Sequence, residues 1–363
     1  MNIPRTSQNF YSFTMKTLRE FLVQFGKEKF RAEQLFRWVY IEGVTDFNLM
    51  TNLSKAFREE LTKVIHFELP QVVSHLKSED GTQKLLLNVG DKKTIEAVLI
   101  PSDGRLTLCV SSEVGCNMAC QFCYTGKIKL SKRLSVDQIV GQYLRAREVL
   151  APEERISNIV FMGMGEPLDN PQNVFPAIEI LHETFGINLS LKKITVSTSG
   201  LVPQMPLITE AGVRLAVSLN ASNDEVRSQI MPINKKYPIK ELLDACREHC
   251  RETKDKVTLE YVLLKGVTDS LEHAHELYHL TKSVPCKINI IPFNEHPGAD
   301  FLRPSMNQVY KFQQELINLG AHVLLRKTMG RDIFAACGQL TSFYQDRPEK
   351  LNVKKPIEGN LHA

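Results

Sequence analysis

The chain predicts an α/β fold: an open, partial parallel α/β barrel with a small helical domain at its N-terminus. Three observations predict it. From about Leu106 onward, apolar runs of strand length alternate with helical segments, the mark of a parallel sheet with right-handed crossovers. The alternation gives six to seven units, fewer than the eight that close a barrel. The first seventy residues instead carry helical periodicity.

Residues 1–70 read as the helical domain. Leu18, Phe21, Leu22 and Phe25 fall at i, i+3, i+4 and i+7, and Gly26 follows as a stop signal. Leu35, Phe36 and Val39 give a second apolar face. Phe57, Leu61, Val64 and Ile65 give a third, after Ser54 as a helix cap. Lys27, Lys29, Arg31, Arg37, Lys55 and Arg58 could touch phosphates, although Glu28, Glu33, Glu59 and Glu60 are interleaved as on a solvated face.

Residues 71–104 change character. Val72-Val73, Leu85-Leu86-Leu87 and Val98-Leu99-Ile100 are broken by Glu79-Asp80-Gly81 and Gly90-Asp91, which predicts a short antiparallel linker region. Residues 105–343 form the barrel unit. Strands are expected over 106–111, 158–162, 193–197, 214–218, 257–263, 287–292 and 322–327, with helices over 136–149, 240–250 and 271–280. The polar stretch 344–363 is expected to be a mobile tail.

Composition narrows the class. The 363 residues are 43% hydrophobic, enough for a large core, and the net charge of +4 permits nucleic-acid binding without requiring it. No run reaches the ~18 apolar residues of a membrane span. Met1 to Thr14 is largely polar and lacks the apolar core of a signal peptide. Eight cysteines fall far below disulfide-scaffold density. A reducing cytoplasm and a monomer are the expectation.

The polar motifs gather where a parallel sheet places function, at the carboxyl ends of its strands. Those ends read Met162-Gly163-Met164-Gly165-Glu166-Pro167, Ser197-Thr198-Ser199-Gly200, Ser218-Leu219-Asn220, Pro292-Phe293-Asn294 and Met329-Gly330-Arg331-Asp332, the last shortly before Cys337. The glycines would let backbone approach a ligand. Glu166 could pair with a ligand ammonium, and Ser197, Ser218 and Asn294 could bond its polar atoms. The first strand leads into Cys116, Cys120 and Cys123, spaced C-x3-C-x2-C. Three thiolates hold three irons of a four-iron cubane and leave one iron open for an outside ligand. Zinc fits poorly, because no second C-x2-C pair follows and the next histidine is His182.

The three-cysteine motif resembles that of the radical S-adenosylmethionine (radical-SAM) superfamily. Longer words narrow the resemblance. Thr107-Leu108-Cys109-Val110-Ser111-Ser112, Phe161-Met162-Gly163-Met164-Gly165-Glu166-Pro167-Leu168, Met231-Pro232-Ile233-Asn234 and Ala335-Ala336-Cys337-Gly338-Gln339-Leu340 look like the RlmN/Cfr family of RNA adenine methyltransferases. The match runs to about Phe343. It implies a partial barrel of radical-SAM type. The implied reaction is methylation of an adenine ring carbon: carbon 2 in 23S rRNA and tRNA for the RlmN type, carbon 8 of the rRNA adenine for the Cfr type. Residues 286–299 look RlmN-like, whereas Tyr124-Thr125-Gly126 leans towards Cfr.

The resemblance also implies cofactors and roles. One [4Fe-4S] cluster sits on Cys116, Cys120 and Cys123. SAM is bound by Gly165, Glu166, Ser197, Ser218, Leu219, Asn220 and Asn294, with two molecules used per turnover. Cys337 takes a methyl group from one SAM. A radical from the second activates that methyl group for addition to adenine. Cys109 then resolves the protein–RNA link through a transient disulfide. Glu96 matches the family's proton acceptor, but a thiolate or a carboxylate could each take the ring proton. Flavodoxin is the family's usual kind of electron donor. Two residues depart from the pattern: Asn220 stands where the family has His, and Tyr124 is bulkier than usual. Rival readings are a radical enzyme with another target, which needs no Cys109–Cys337 pair, and a non-catalytic RNA-binding protein with a structural cluster.

Overall fold

The structure, a computed structural model, describes residues 7–341; the tail expected at 344–363 lies outside them. The N-terminal domain holds three helices, α1 (Met15–Gln24), α2 (Arg31–Phe36) and α3 (Lys55–Val64). Their predicted apolar faces turn inward, with Leu18, Leu22, Leu35, Phe36 and Leu61 all buried. Thr14 and Ser54 cap α1 and α3 by accepting the Thr17 and Phe57 backbone N–H groups at 3.2 and 3.3 Å. Rings of Phe10, Phe36, Tyr40 and Phe67 pack against one another at the centre.

The rest of the fold is one ten-stranded sheet whose strands lie in sequential order. They are β1 (Gln71–Lys77), β2 (Gln83–Asn88), β3 (Thr94–Ser102), β4 (Arg105–Cys109), β5 (Asn158–Phe161), β6 (Ile194–Thr198), β7 (Arg214–Ser218), β8 (Val257–Leu263), β9 (Cys286–Pro292) and β10 (Val323–Leu325). Strands β4 to β10 are parallel, and β1 to β4 are antiparallel. The end strands β1 and β10 do not meet, so the barrel stays open. The antiparallel 71–104 region therefore continues the main sheet. Local spacing could predict its hairpins but not the Val98–Cys109 register that joins it to the parallel part.

Crossover helices cover the sheet: α4 (Val136–Glu148), α5 (Pro171–His182), α6 (Pro206–Glu210), α7 (Asp224–Ile230), α8 (Ile239–Thr253), α9 (Leu271–Thr281) and α10 (Met306–Asn318). Helix α4 also carries the helical domain. Ser12 Oγ donates to Asp137 at 3.0 Å, and Arg147 donates to the Tyr40 carbonyl at 3.1 Å.

Candidate active site

After β4 the chain curls into the cysteine loop. Gly115 at φ +83° and Ala119 at φ +53° supply left-handed turns. The loop packs tightly on itself: a Cβ on Gly126 would lie 2.6 Å from the Cys120 carbonyl oxygen. Cys116 N–H donates to Ile128 at 3.0 Å, and Gln121 N–H ties the loop to the end of α7 through Ile230 at 2.9 Å. Cys116, Cys120 and Cys123 then line one open cleft.

Among the described residues, no three His, Cys, Asp or Glu side chains converge as a single metal ion needs. Three thiols lining one cleft are the donor set that a cluster held by three cysteines would use. Burial pushes all three thiols up. Coordination to iron reverses that, because a metal-bound thiol is deprotonated outright.

The opposite walls come from the strand ends. Gly165, Glu166 and Ser197 line the cleft, as do Ser218, Asn220 and Asn294. Gly165 sits at φ +99°, and a Cβ there would lie 2.5 Å from Glu113 Cβ, so only glycine fits. Glu166 is buried. Its Oε2 accepts the Ser199 backbone N–H and hydroxyl, both at 2.8 Å, and its Oε1 accepts Leu168 N–H at 3.2 Å. A carboxylate has about four acceptor positions, which leaves capacity for a ligand ammonium. Asn220 holds φ +58°. Its side-chain oxygen accepts Val262 N–H at 3.0 Å, and its amide nitrogen faces Met231 sulfur at 3.3 Å. That amide braces the loop. Leu219 is the one expected ligand residue that does not line the cleft; it is buried, with its carbonyl taken by Arg227 at 2.9 Å.

Cys337 lies on the wall shared by this cleft and a second cavity, and Cys109 lines that second cavity with Arg326. Burial pushes the Cys109 thiol up to about 12, and the neighbouring Cys337 adds to the effect. Cys337 is also raised by burial, against the pull of Arg326. Arg326 lies 3.7 Å from Glu260. The loop bearing Cys337 is fixed to the site on two sides. Asn294 Nδ2 donates to the Cys337 carbonyl at 3.0 Å. Tyr124 N–H donates to Gly338 at 2.8 Å, and Thr125 Oγ donates to Leu340 at 2.7 Å. Tyr124 stacks on His296 with ring centroids 5.0 Å apart. Glu96 lines neither cavity.

Sequence reasoning missed three polar residues near the site, Lys84, Glu113 and Arg227, and gave Ser199 no role of its own within the Ser197-Thr198-Ser199-Gly200 strand end. Arg227 is fully buried and bonds the carbonyls of Ser199, Ser218 and Leu219 and the Asn234 side chain at 2.7–3.1 Å. It sits mid-helix among polar residues, so its spacing gave no signal.

A family model described as the radical SAM superfamily matches residues 110–278, and one described as the ribosomal RNA large subunit methyltransferase N-terminal domain matches residues 8–67. A Bdellovibrio bacteriovorus protein named dual-specificity RNA methyltransferase RlmN is 61% identical over 345 residues, covering 95% of this chain and 86% of that protein. The crystal structure of a radical SAM methyltransferase from Sphaerobacter thermophilus is similar at TM-score 0.85 and 40% identity, covering 93% of this chain and all of that one. The chain belongs to the RlmN family of radical-SAM RNA methyltransferases.

Proposed function

We propose that the chain methylates carbon 2 of one adenine in 23S rRNA and of the adenine beside the anticodon in tRNA. One observation carries this reading beyond the family match. Cys337 lines both the three-cysteine cleft and the cavity that holds Cys109. A radical enzyme with another target has no use for such a thiol pair. A structural cluster has no use for an open cleft beside it.

Cys116, Cys120 and Cys123 would hold one cluster per chain. Gly165, Glu166, Ser197, Ser218, Asn220 and Asn294 would hold SAM, without Leu219, whose backbone groups are bonded within the protein, and two SAM molecules would serve each turnover. When bound, these groups supply the methyl group and the radical chemistry that an unactivated ring carbon requires. The protein's own part falls to two sulfurs. Cys337 carries the methyl group as S-methylcysteine; that methyl group would give up one hydrogen atom to the radical that bound SAM supplies, and its carbon would then bond to the adenine ring. Cys109 as a thiolate attacks the Cys337 sulfur, the sulfur–carbon bond breaks with its electron pair going to carbon, that carbon takes a proton to become the methyl group, and a Cys109–Cys337 disulfide remains. The ring proton leaves to a base. Cys109 is the nearer candidate, because it lines the Cys337 cavity and Glu96 does not, but burial keeps its thiol protonated, so it takes the ring proton only after losing its own. A reductant such as flavodoxin supplies electrons. The working unit is a monomer in the cytoplasm.

The carbon-8 alternative drew on Tyr124-Thr125-Gly126. Tyr124 stacks on His296, within the RlmN-like 286–299 word, so the unusual residue packs against an RlmN feature. The test incubates anaerobically purified, cluster-reconstituted protein with SAM, reductant and a 23S rRNA fragment. Mass spectrometry of the digested RNA is expected to find 2-methyladenosine. 8-Methyladenosine would overturn the position, and no methylated adenosine would overturn the substrate.

A further inference from the structure

Glu96 faces the same side of the sheet as Cys109, since Val98 pairs with Cys109 and residues two apart in a strand share a face. That placement suits a proton acceptor, but its contacts do not. Oε1 takes Lys84 Nζ at 2.8 Å, and Oε2 takes the Thr341 backbone N–H at 2.9 Å. The Lys84 and Glu96 side chains are only 8% and 6% exposed. Lys84 Nζ also donates to the Phe334 carbonyl at 3.1 Å. Phe334 and Thr341 flank Cys337 on either side. One buried ion pair thus grips both ends of the segment that has Cys337 near its middle.

We propose that Lys84 and Glu96 form a clamp that positions the Cys337 segment, so that both act through Cys337 and Glu96 is not the proton acceptor. The inference rests on the role proposed for Cys337. A buried ion pair is weak evidence for stability, because desolvation offsets its attraction and apolar pairs of like volume often do as well. Its value here is geometric. The same segment is bonded to the cysteine loop through Tyr124 and Thr125, and upstream Asp80 accepts Gly330 N–H at 2.7 Å. The clamp sets the remaining side, where β2 and β3 face the segment. It also explains why the antiparallel strands belong to the main sheet: they carry the clamp.

The test uses full-length, cluster-reconstituted protein with Lys84→Met, Glu96→Gln and the double substitution. Two readouts are taken: the fraction of Cys337 carrying a methyl group, by peptide mass spectrometry, and amide exchange across 334–341. In a proton-acceptor reading Lys84→Met raises the proton affinity of Glu96 but leaves Cys337 methylation unchanged. In the clamp reading it lowers Cys337 methylation and speeds exchange about tenfold, the scale of one lost charge-assisted bond. Glu96→Gln does the same, and the double variant is no worse than the worse single one. The clamp is overturned if Lys84→Met behaves as wild type while Glu96→Gln keeps methylated Cys337 and stops only product release. Glu96→Gln keeps the side-chain shape, so it decides the case on its own even if Lys84→Met does not fold: fast exchange confined to 334–341 supports the clamp, and wild-type exchange there overturns it. Failure of the proposed function reads differently, as wild type that yields no methyladenosine from RNA, with the exchange result still deciding the clamp.

Discussion

Cys109 and Cys337 share a cavity, and their order of action makes a residue-level prediction. If Cys109 only resolves the adduct, Cys109→Ala should still methylate Cys337 and attack the RNA, then stop. A covalent protein–RNA species should accumulate on a denaturing gel, while Cys337→Ala gives neither adduct nor product. Absence of the adduct with normal Cys337 methylation would remove Cys109 from the resolving role. Glu113 makes a second prediction. Its side chain is fully buried beneath the Gly165–Glu166 turn and accepts Glu166 N–H at 2.9 Å through Oε2, while Oε1 has no hydrogen bond and lies 3.6 Å from Arg133 Nε. Burial, reinforced by Asp169 and Glu166, pushes the carboxyl up to about 8. From the ordinary glutamate value up to about 8, the folded chain holds a proton that the unfolded chain releases. Folded stability is therefore lost as pH rises through that window. Glu113→Gln keeps the acceptor and removes the titration. Its stability advantage over wild type should grow between pH 5.5 and 8.5 to about 1–3 kcal/mol, discounted from the full shift for relaxation. Thermal unfolding across that range would refute this if the difference stayed flat.

At the scale of elements, the strand ends were the most legible part. Short apolar runs followed by Gly, Ser or Asn mark parallel strands and their functional edge, and Gly165, Glu166, Ser197, Ser218 and Asn220 do meet in one cleft. What spacing could not supply was the partner of each strand and the side chains that bind strand ends together. Helix α5 went unnoticed because Pro171 opens it and Pro176 lies inside it. Lys84 and Arg227 look like ordinary surface charges in a sequence, since burial of a cation depends on acceptors brought from distant segments. Arg227 shows the consequence. It joins the ends of β6 and β7 through the Ser199, Ser218 and Leu219 carbonyls. Arg227→Met would leave these buried acceptors unpaired at about 1–3 kcal/mol each. SAM affinity measured by calorimetry should fall at least about tenfold, with iron content retained; unchanged affinity would show that the cleft walls hold without it.

At the scale of the whole molecule, the helical domain is docked on α4 and none of its described residues lines the cleft, so any contact it makes with RNA falls outside the cleft. Six basic residues were candidates for phosphate contact, and the structure divides them. Lys27 pairs with Glu60 and Arg31 with Glu28. Arg37 lies over the Phe185 ring, and Arg58 donates to the Asn48 carbonyl. Lys29 and Lys55 are exposed and have no ion pair among the described residues. A cation already neutralised by a carboxylate releases few counterions from RNA, so Lys29, Lys55, Arg37 and Arg58 should outweigh Lys27 and Arg31, and of these four Lys29 and Lys55 are held by neither a ring nor a carbonyl among the described residues. Lys29→Ala combined with Lys55→Ala should raise the KM for RNA about threefold to tenfold and reduce the salt slope of binding by roughly two. Cys337 methylation should not change, because that step needs no RNA. The matched control, Lys27→Ala with Arg31→Ala, should move the salt slope less. If both pairs leave the slope unchanged, these four substituted cations do not contact phosphates, and Arg37 and Arg58 are the only candidates left among the six.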